Sequence, residues 1–180
     1  MIEELFFDTD CLSAFLWVND TSILEQLYGG RIAIPDKVYG ELSNPRVPHL
    51  KKRVDRLVEK GAAVVVDIGF ATEEFYIYRQ LTKPTKGFKA IGGGEAAAIA
   101  LTLTHAGILA SNNYRDIAFY INKYNLKHID TGMIMKEALD KGLITEEQGN
   151  ELWDKMLSYN RKLPNVSFSE YLKERDHRLL

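Results

Sequence analysis

Short strand-like runs alternate with helix-length segments along nearly the whole chain, and this alternation most constrains the fold. The runs are Leu5-Phe6-Phe7, Ile32-Ala33-Ile34, Ala62 to Val66, Ile108-Leu109-Ala110 and Lys127-His128-Ile129. Runs this short are strands if buried, because a helix of that length buries too little. Between them the spacing predicts helices. Cys11 to Val18 is one, with Asp10 as its N-cap, and Asp20-Thr21-Ser22 opens a second that Gly29-Gly30 ends. Pro35 reads as a first helical residue. Leu50, Val54, Leu57 and Val58 share one helical face, closed by Gly61. Thr72 opens a helix through Leu81, and Glu95 to His105 forms another, stopped by Gly107. Tyr114 to Tyr124 follows, and Thr131 caps a helix ending at Gly142. Thr145 and Gln148 make a capping box for the next, to about Tyr159. Helices alternating with strands in this way predict a three-layer α/β/α sandwich around a mainly parallel central sheet. Residues 1–142 are expected to form the main domain. Residues 143–180 are expected to be a C-terminal helical extension and polar tail.

Bulk properties exclude several classes. The chain has 180 residues, 46% of them hydrophobic and 27% charged, which is globular rather than disordered. A net charge of −2 provides no global attraction to nucleic acid, so any such site must be a local basic patch. Cys11 is the sole cysteine, so no intrachain disulfide is possible and a cytoplasmic location is expected. No apolar stretch approaches the ~20 residues that span a bilayer, and no membrane association is expected.

Four acids stand beside the apolar runs: Asp8, Glu41, Glu95 and Asp116. In a parallel sheet, ligands bind outside the carboxyl ends of the strands. Asp8 follows the first strand directly, and Asp116 lies just past the fourth. Taken singly, each has an ordinary reading: a strand-end cap, an exposed helical Glu, or an acid at the positive end of a helix. Taken together, converging carboxylates require a counter-charge, and Mg²⁺ or Mn²⁺ is the natural one for oxygen ligands. Such a site suits phosphodiester hydrolysis. His49, His105, His128 and His177 lack metal-ligand spacing, and no nucleophilic triad is evident. Ile91 to Ala97, IGGGEAA, is not a dinucleotide fingerprint, because the segment before it is no strand. Asp8-Thr9-Asp10 also resembles the Asp-x-Asp of haloacid-dehalogenase phosphatases, an alternative enzyme class without its downstream Lys here.

Four motifs in order carry a resemblance. They are hydrophobic-Asp-Thr-Asp at Phe7 to Asp10, Val-Tyr-x-Glu-Leu at Val38 to Leu42, Gly-x-Glu-Ala-x-x-Ile-Ala at Gly93 to Ala100, and Ser-x-Asn-x-x-Asp at Ser111 to Asp116. In order and spacing the chain resembles the PIN-domain nucleases, especially the VapC-type toxin ribonucleases. The resemblance implies a PIN-like fold and a divalent-metal-dependent endoribonuclease. Asp8, Glu41, Glu95 and Asp116 would form its catalytic, metal-binding acids, with Asp10, Ser111 and Asn113 in support. An alternative register places Asn112-Asn113 at the fourth acidic position; the register that keeps Asp116 is preferred. The implied partners are an RNA substrate and an antitoxin protein, with a homodimer expected. A degenerate PIN module that binds RNA or a protein without cutting is the non-enzymatic alternative.

Two basic stretches bear on substrate binding. Lys83, Lys86 and Lys89 precede Glu95 and are expected to contact the RNA backbone. Arg46, Lys51, Lys52, Arg53 and Arg56 read better as a solvated face. Tyr76 and Tyr78 could stack bases, and core packing is at least as good a reading for one of them.

Overall fold

The computed structural model of the chain describes residues 3–83 and 90–178. β1 (Leu5–Phe7) leads into α1 (Thr9–Val18) and α2 (Ser22–Tyr28). β2 (Ile32–Pro35) leads into α3 (Asp36–Leu42) and α4 (Pro48–Glu59). β3 (Ala63–Val66) precedes α5 (Glu73–Thr82) and α6 (Gly93–His105), and β4 (Ile108–Ala110) precedes α7 (Tyr114–Tyr124). β5 (Lys127–Ile129) is followed by α8 (Thr131–Asp140), α9 (Glu146–Ser158) and α10 (Phe168–Arg178). The strands form one sheet in the order β3-β2-β1-β4-β5, and every pairing is parallel.

Alternation along each strand divides the core into two layers. Leu5 and Phe7 of β1 point to one side with Ile32 and Ile34 of β2, where they meet Leu12 and Phe15 of α1, Val54 of α4 and Ile134 of α8. Phe6, Ala33 and Leu109 point to the other side, against Ala97, Ile99 and Leu101 of α6 and Ile117 of α7. The result is a three-layer α/β/α sandwich. β1 lies at its centre, and all three of its residues are buried. Chain progression runs from β1 outward to β3, then returns to β4 on the opposite flank. The order therefore reverses between β1 and β4, which makes their carboxyl ends the place where an open parallel sheet leaves a crevice.

Several helix ends differ from the sequence expectation. Asp8, not Asp10, caps α1: its backbone is extended and its Oδ1 accepts from the Cys11 amide at 2.8 Å. Asp10 falls inside the first turn because the helix starts at Thr9. Pro35 closes β2 opposite Val66 instead of opening α3. Asp130, not Thr131, caps α8, accepting from the Met133 amide at 2.8 Å. α6 begins at Gly93, two residues earlier than expected, and Ala106 takes the left-handed conformation at its end. Gly107 is required for another reason: a Cβ there would lie 2.6 Å from the Phe6 ring.

The expected polar tail is the largest departure. Residues 168–178 are helical, Phe168 is fully buried and Tyr171 nearly so. Both rings rest on glycines. A Cβ on Gly149 would come within 2.3 Å of Phe168, and one on Gly132 within 2.4 Å of Tyr171. Trp153 packs at a tilt against both rings and donates its indole N–H to the Asn165 carbonyl at 2.9 Å. Two aromatic anchors are enough to dock a helix that otherwise reads as charged, because buried apolar area and not mean polarity decides docking.

Candidate active site

Asp8, Thr9, Asp10, Glu41, Gly92, Gly94, Glu95 and Asp116 line one cleft of about 350 Å³. The sheet places it at the reversal point. Asp8 sits at the exit of β1, and Ser111 at the exit of the adjoining β4. Asp10 follows in the first turn of α1, and Glu41 comes from the last turn of α3. Glu95 and Asp116 come from the first turns of α6 and α7. All four principal acids expected from the sequence, and Asp10, thus share one recess.

Neutral donors hold four of these carboxylates, Asp8, Glu41, Glu95 and Asp116. Asp8 is fully buried; the Ser111 hydroxyl donates to its Oδ2 while the Cys11 amide holds Oδ1. Burial outweighs those two bonds and pushes its pKa up to about 7, with repulsion from Asp10 and Glu95 adding to the shift. Glu41 accepts from the Thr9 hydroxyl and, at 3.0 Å, from the Gly94 amide. Glu95 Oε1 accepts from Asn113 Nδ2 at 2.5 Å, and the same amide reaches Asp116 Oδ2 at 2.8 Å. The Glu95 pKa is also raised, first by burial and then by Asp116 and Asp10.

Asn113 therefore joins the third and fourth acids, and Ser111 braces the first. Asn112 faces away: its Oδ1 accepts from the Thr131 amide at 2.9 Å. Asp116 lines the cleft, which is the placement the preferred register requires. Thr9 and Gly94 were not singled out from the sequence. The signal for Gly94 was available in the run Gly92-Gly93-Gly94. A Cβ at Gly94 would stand 2.6 Å from the Thr9 hydroxyl and 2.9 Å from Glu41, so only glycine lets α6 approach α3 here.

Among the described residues, no Lys, Arg or His forms an ion pair with any of the five acids. Also among them, no three Asp, Glu, His or Cys side chains stand close enough to hold an ion as placed. The donor set is nevertheless that of a hard cation: carboxylates and hydroxyls, with no sulfur or imidazole in the lining. In chemistry, an uncompensated cluster of this kind fits a divalent cation such as Mg²⁺ or Mn²⁺.

The basic stretches are placed differently. Lys86 and Lys89 lie outside the described residues, and Lys83 is exposed at the end of α5. In the second stretch Arg53 donates to the Leu16 and Trp17 carbonyls at the end of α1, and Lys51 pairs with Asp55 at 2.7 Å. Arg46, Lys52 and Arg56 are exposed. Tyr76 is 59% exposed, whereas Tyr78 packs on the α5–α6 layer of the core.

Fold and cleft together define an α/β/α sandwich with a carboxylate-lined site at the reversal point of a parallel sheet. A family model described as PIN domain matches residues 4–176, and the chain belongs to the PIN-domain family. Among solved structures it is similar to a chain in the crystal structure of VapBC2 from Rickettsia felis bound to a DNA fragment from their promoter. The two share 16% identity over 70% of this chain and 97% of that one, with a TM-score of 0.46. No curated protein matches the chain. Among the described residues, no helix is long and apolar enough to cross a membrane.

Proposed function

We propose that this protein is a divalent-metal-dependent endoribonuclease of the VapC type. The observation that carries the reading is the convergence of five carboxylates, without a cationic partner among the described residues, at the reversal point of the sheet. Membership of the PIN-domain family supports a nuclease; the family match also sets aside the phosphatase alternative. Asp8, Glu41, Glu95 and Asp116 would hold Mg²⁺ or Mn²⁺, and Asp10 lines the same cleft. When bound, the ion supplies an activated water and neutralises charge building on the scissile phosphate.

The chain's own residues do the rest. Ser111 and the Cys11 amide fix both oxygens of Asp8, so the carboxylate is aimed before any ligand arrives. Asn113 orients Glu95 and Asp116 as a pair. Thr9 and the Gly94 amide steady Glu41. Excess negative charge repels an RNA strand until it is compensated, which ties substrate binding to cation binding. Purified protein should cut single-stranded RNA with Mg²⁺ or Mn²⁺ and stop with EDTA, and Asp8→Asn should be inactive while folded. Equal cutting by EDTA-treated protein or by Asp8→Asn would sink the reading.

One observation favours a second reading, a PIN module that binds RNA or a protein without cutting: no three of the acids are placed to share an ion as they stand. Mn²⁺ titration separates the two readings, since a binding-only module shows no stoichiometric uptake. The order of the four motifs also supports a cytoplasmic toxin that acts as a homodimer and is neutralised by an antitoxin protein; copurification with the product of a neighbouring open reading frame tests that.

A further inference from the structure

Beside the acid cleft, along the same edge of the sheet, lies a second recess of about 400 Å³. It opens at the exit of β5, between the first turn of α7, the start of α8 and the face of α10. The two recesses share a wall. Asp116 lines the cleft and Tyr114, two residues earlier on α7, lines the recess. Ser111 is the other common element: its hydroxyl donates to Asp8, while its carbonyl accepts from Nε2 of His128, which lines the recess, at 2.8 Å.

We propose that this recess receives an unpaired guanine of the RNA strand whose backbone lies in the acid cleft. The inference rests on the nuclease reading for the presence of that strand, but its evidence is separate. The volume falls within the range of small-ligand pockets. Tyr114 is 56% exposed, with the His128 ring 6.0 Å from its own, and offers an aromatic ring of the kind on which bases stack. The polar groups then select among bases. Asp130 is an acceptor only. Its Oδ1 takes the Met133 amide at 2.8 Å and the Tyr171 hydroxyl at 3.3 Å, and its other oxygen has no partner among the described residues. Arg175 is a donor only. It is steadied by the Tyr171 hydroxyl at 2.8 Å and lies over that ring, and it forms no ion pair among the described residues.

Two carboxylates, Asp130 and Glu174, and the Arg175 guanidinium line the recess, and this set matches guanine. Its N1–H and exocyclic amine donate to a carboxylate, and its O6 and N7 accept from arginine. Adenine and cytosine each offer a carboxylate only one exocyclic amine, and uracil a single N–H, whereas guanine alone sets two adjacent donors beside two adjacent acceptors. The arrangement therefore makes this a reader of one base beside the cut, not a second catalytic centre.

The test is binding, measured in Mg²⁺ on the inactive Asp8→Asn protein so that the cleft's charge is compensated and cleavage plays no part. Four short single-stranded RNAs, alike except for G, A, C or U at one position, are titrated into it and followed by fluorescence anisotropy. The expected result is about tenfold or greater preference for the G oligomer. Tyr114→Ala should weaken binding of all four by about tenfold. Arg175→Ala and Asp130→Asn should erase the preference and keep the fold, since Asn caps a helix as well as Asp does. Equal affinity for the four RNAs, or a G preference that survives Arg175→Ala and Asp130→Asn, overturns the proposal. So does failure to bind any of them while an arginine-bearing peptide binds with a dependence on Asp130. A G preference in a protein that never cuts with Mn²⁺ leaves the recess standing and removes the nuclease reading. Metal-dependent cutting with no base preference does the reverse.

Discussion

The acid cleft and the seam beneath α10 follow opposite rules. In the cleft, five carboxylates crowd together, and burial leaves Asp8 with a pKa near 7 and raises that of Glu95. In the seam, Phe168 and Tyr171 press onto Gly149 and Gly132 so closely that no Cβ fits. One region holds groups that are poorly satisfied until a ligand arrives; the other is complete as it stands. On the proposed reading, function depends on residues that work against stability, while the seam helps to offset them at a distance. Changes in the first should alter activity more than stability, and changes in the second should do the opposite.

The largest effect expected is on activity. Asp8→Asn should lower metal-dependent RNA cleavage by at least about a hundredfold, since even groups that only support a ligand are worth 10- to 100-fold. Melting of the metal-free variant at pH 8 should be no lower than wild type, because Asn keeps the cap and removes a buried charge. A fall of several degrees in Tm would break the contrast. Next, Phe168→Ala should cost about 3–5 kcal/mol in denaturant unfolding, the usual range for a buried phenylalanine. Cleavage per folded molecule should stay near wild type. A loss under about 1 kcal/mol would return α10 to the status of a loose tail.

The pH dependence separates the two regions further. Asp8 has a folded pKa above its unfolded value, so below about pH 7 it keeps its proton in the folded chain. A cation must displace that proton. Mn²⁺ affinity should therefore rise up to about tenfold per pH unit approaching 7 and level off above it. The linkage to folding has the opposite sign: metal-free stability should decline as pH rises from about 4 to 7, where the folded chain binds more protons than the unfolded one. Calorimetric titration at four pH values checks the first expectation, and urea melts check the second; flat profiles would remove Asp8 from the cation site. The smallest difference expected lies within one motif. Asp116→Asn should weaken Mn²⁺ binding, whereas Asn112→Ala, which touches only the Thr131 amide, should leave it nearly unchanged. Equal effects in isothermal titration would mean that the fourth motif is read in the wrong register.

Much of the cleft was legible because its residues sit at strand exits and helix starts, which hydrophobic patterning locates. That rule placed Asp8 after Leu5-Phe6-Phe7 and Asp116 past Ile108-Leu109-Ala110, and the joint order of the four motifs singled them out. Ser111 and Asn113 came with the motif. Thr9 and Gly94 did not, because the approach of α6 to α3 is a distance between helices far apart in sequence. The N-caps were misassigned by one or two residues at Asp10 and Thr131. Neighbouring Asp and Thr can each cap a helix, and only the backbone path decides between them.

The sequence by itself determined the alternation of strands and helices, hence the sandwich and the edge on which its acids lie. These follow from local periodicity and short-range capping, which depend on residues a few positions apart. Tertiary structure alone decided that 168–178 is a docked helix, that Asp8 is buried enough to hold a proton near neutrality, and that Tyr114, Asp130 and Arg175 border one recess. Each of these depends on what lies across the fold: glycines in α8 and α9 beneath two rings, the low dielectric around β1, and a C-terminal helix returning to the exit of β5. Burial and convergence are properties of that packing, and no window of neighbouring residues contains them.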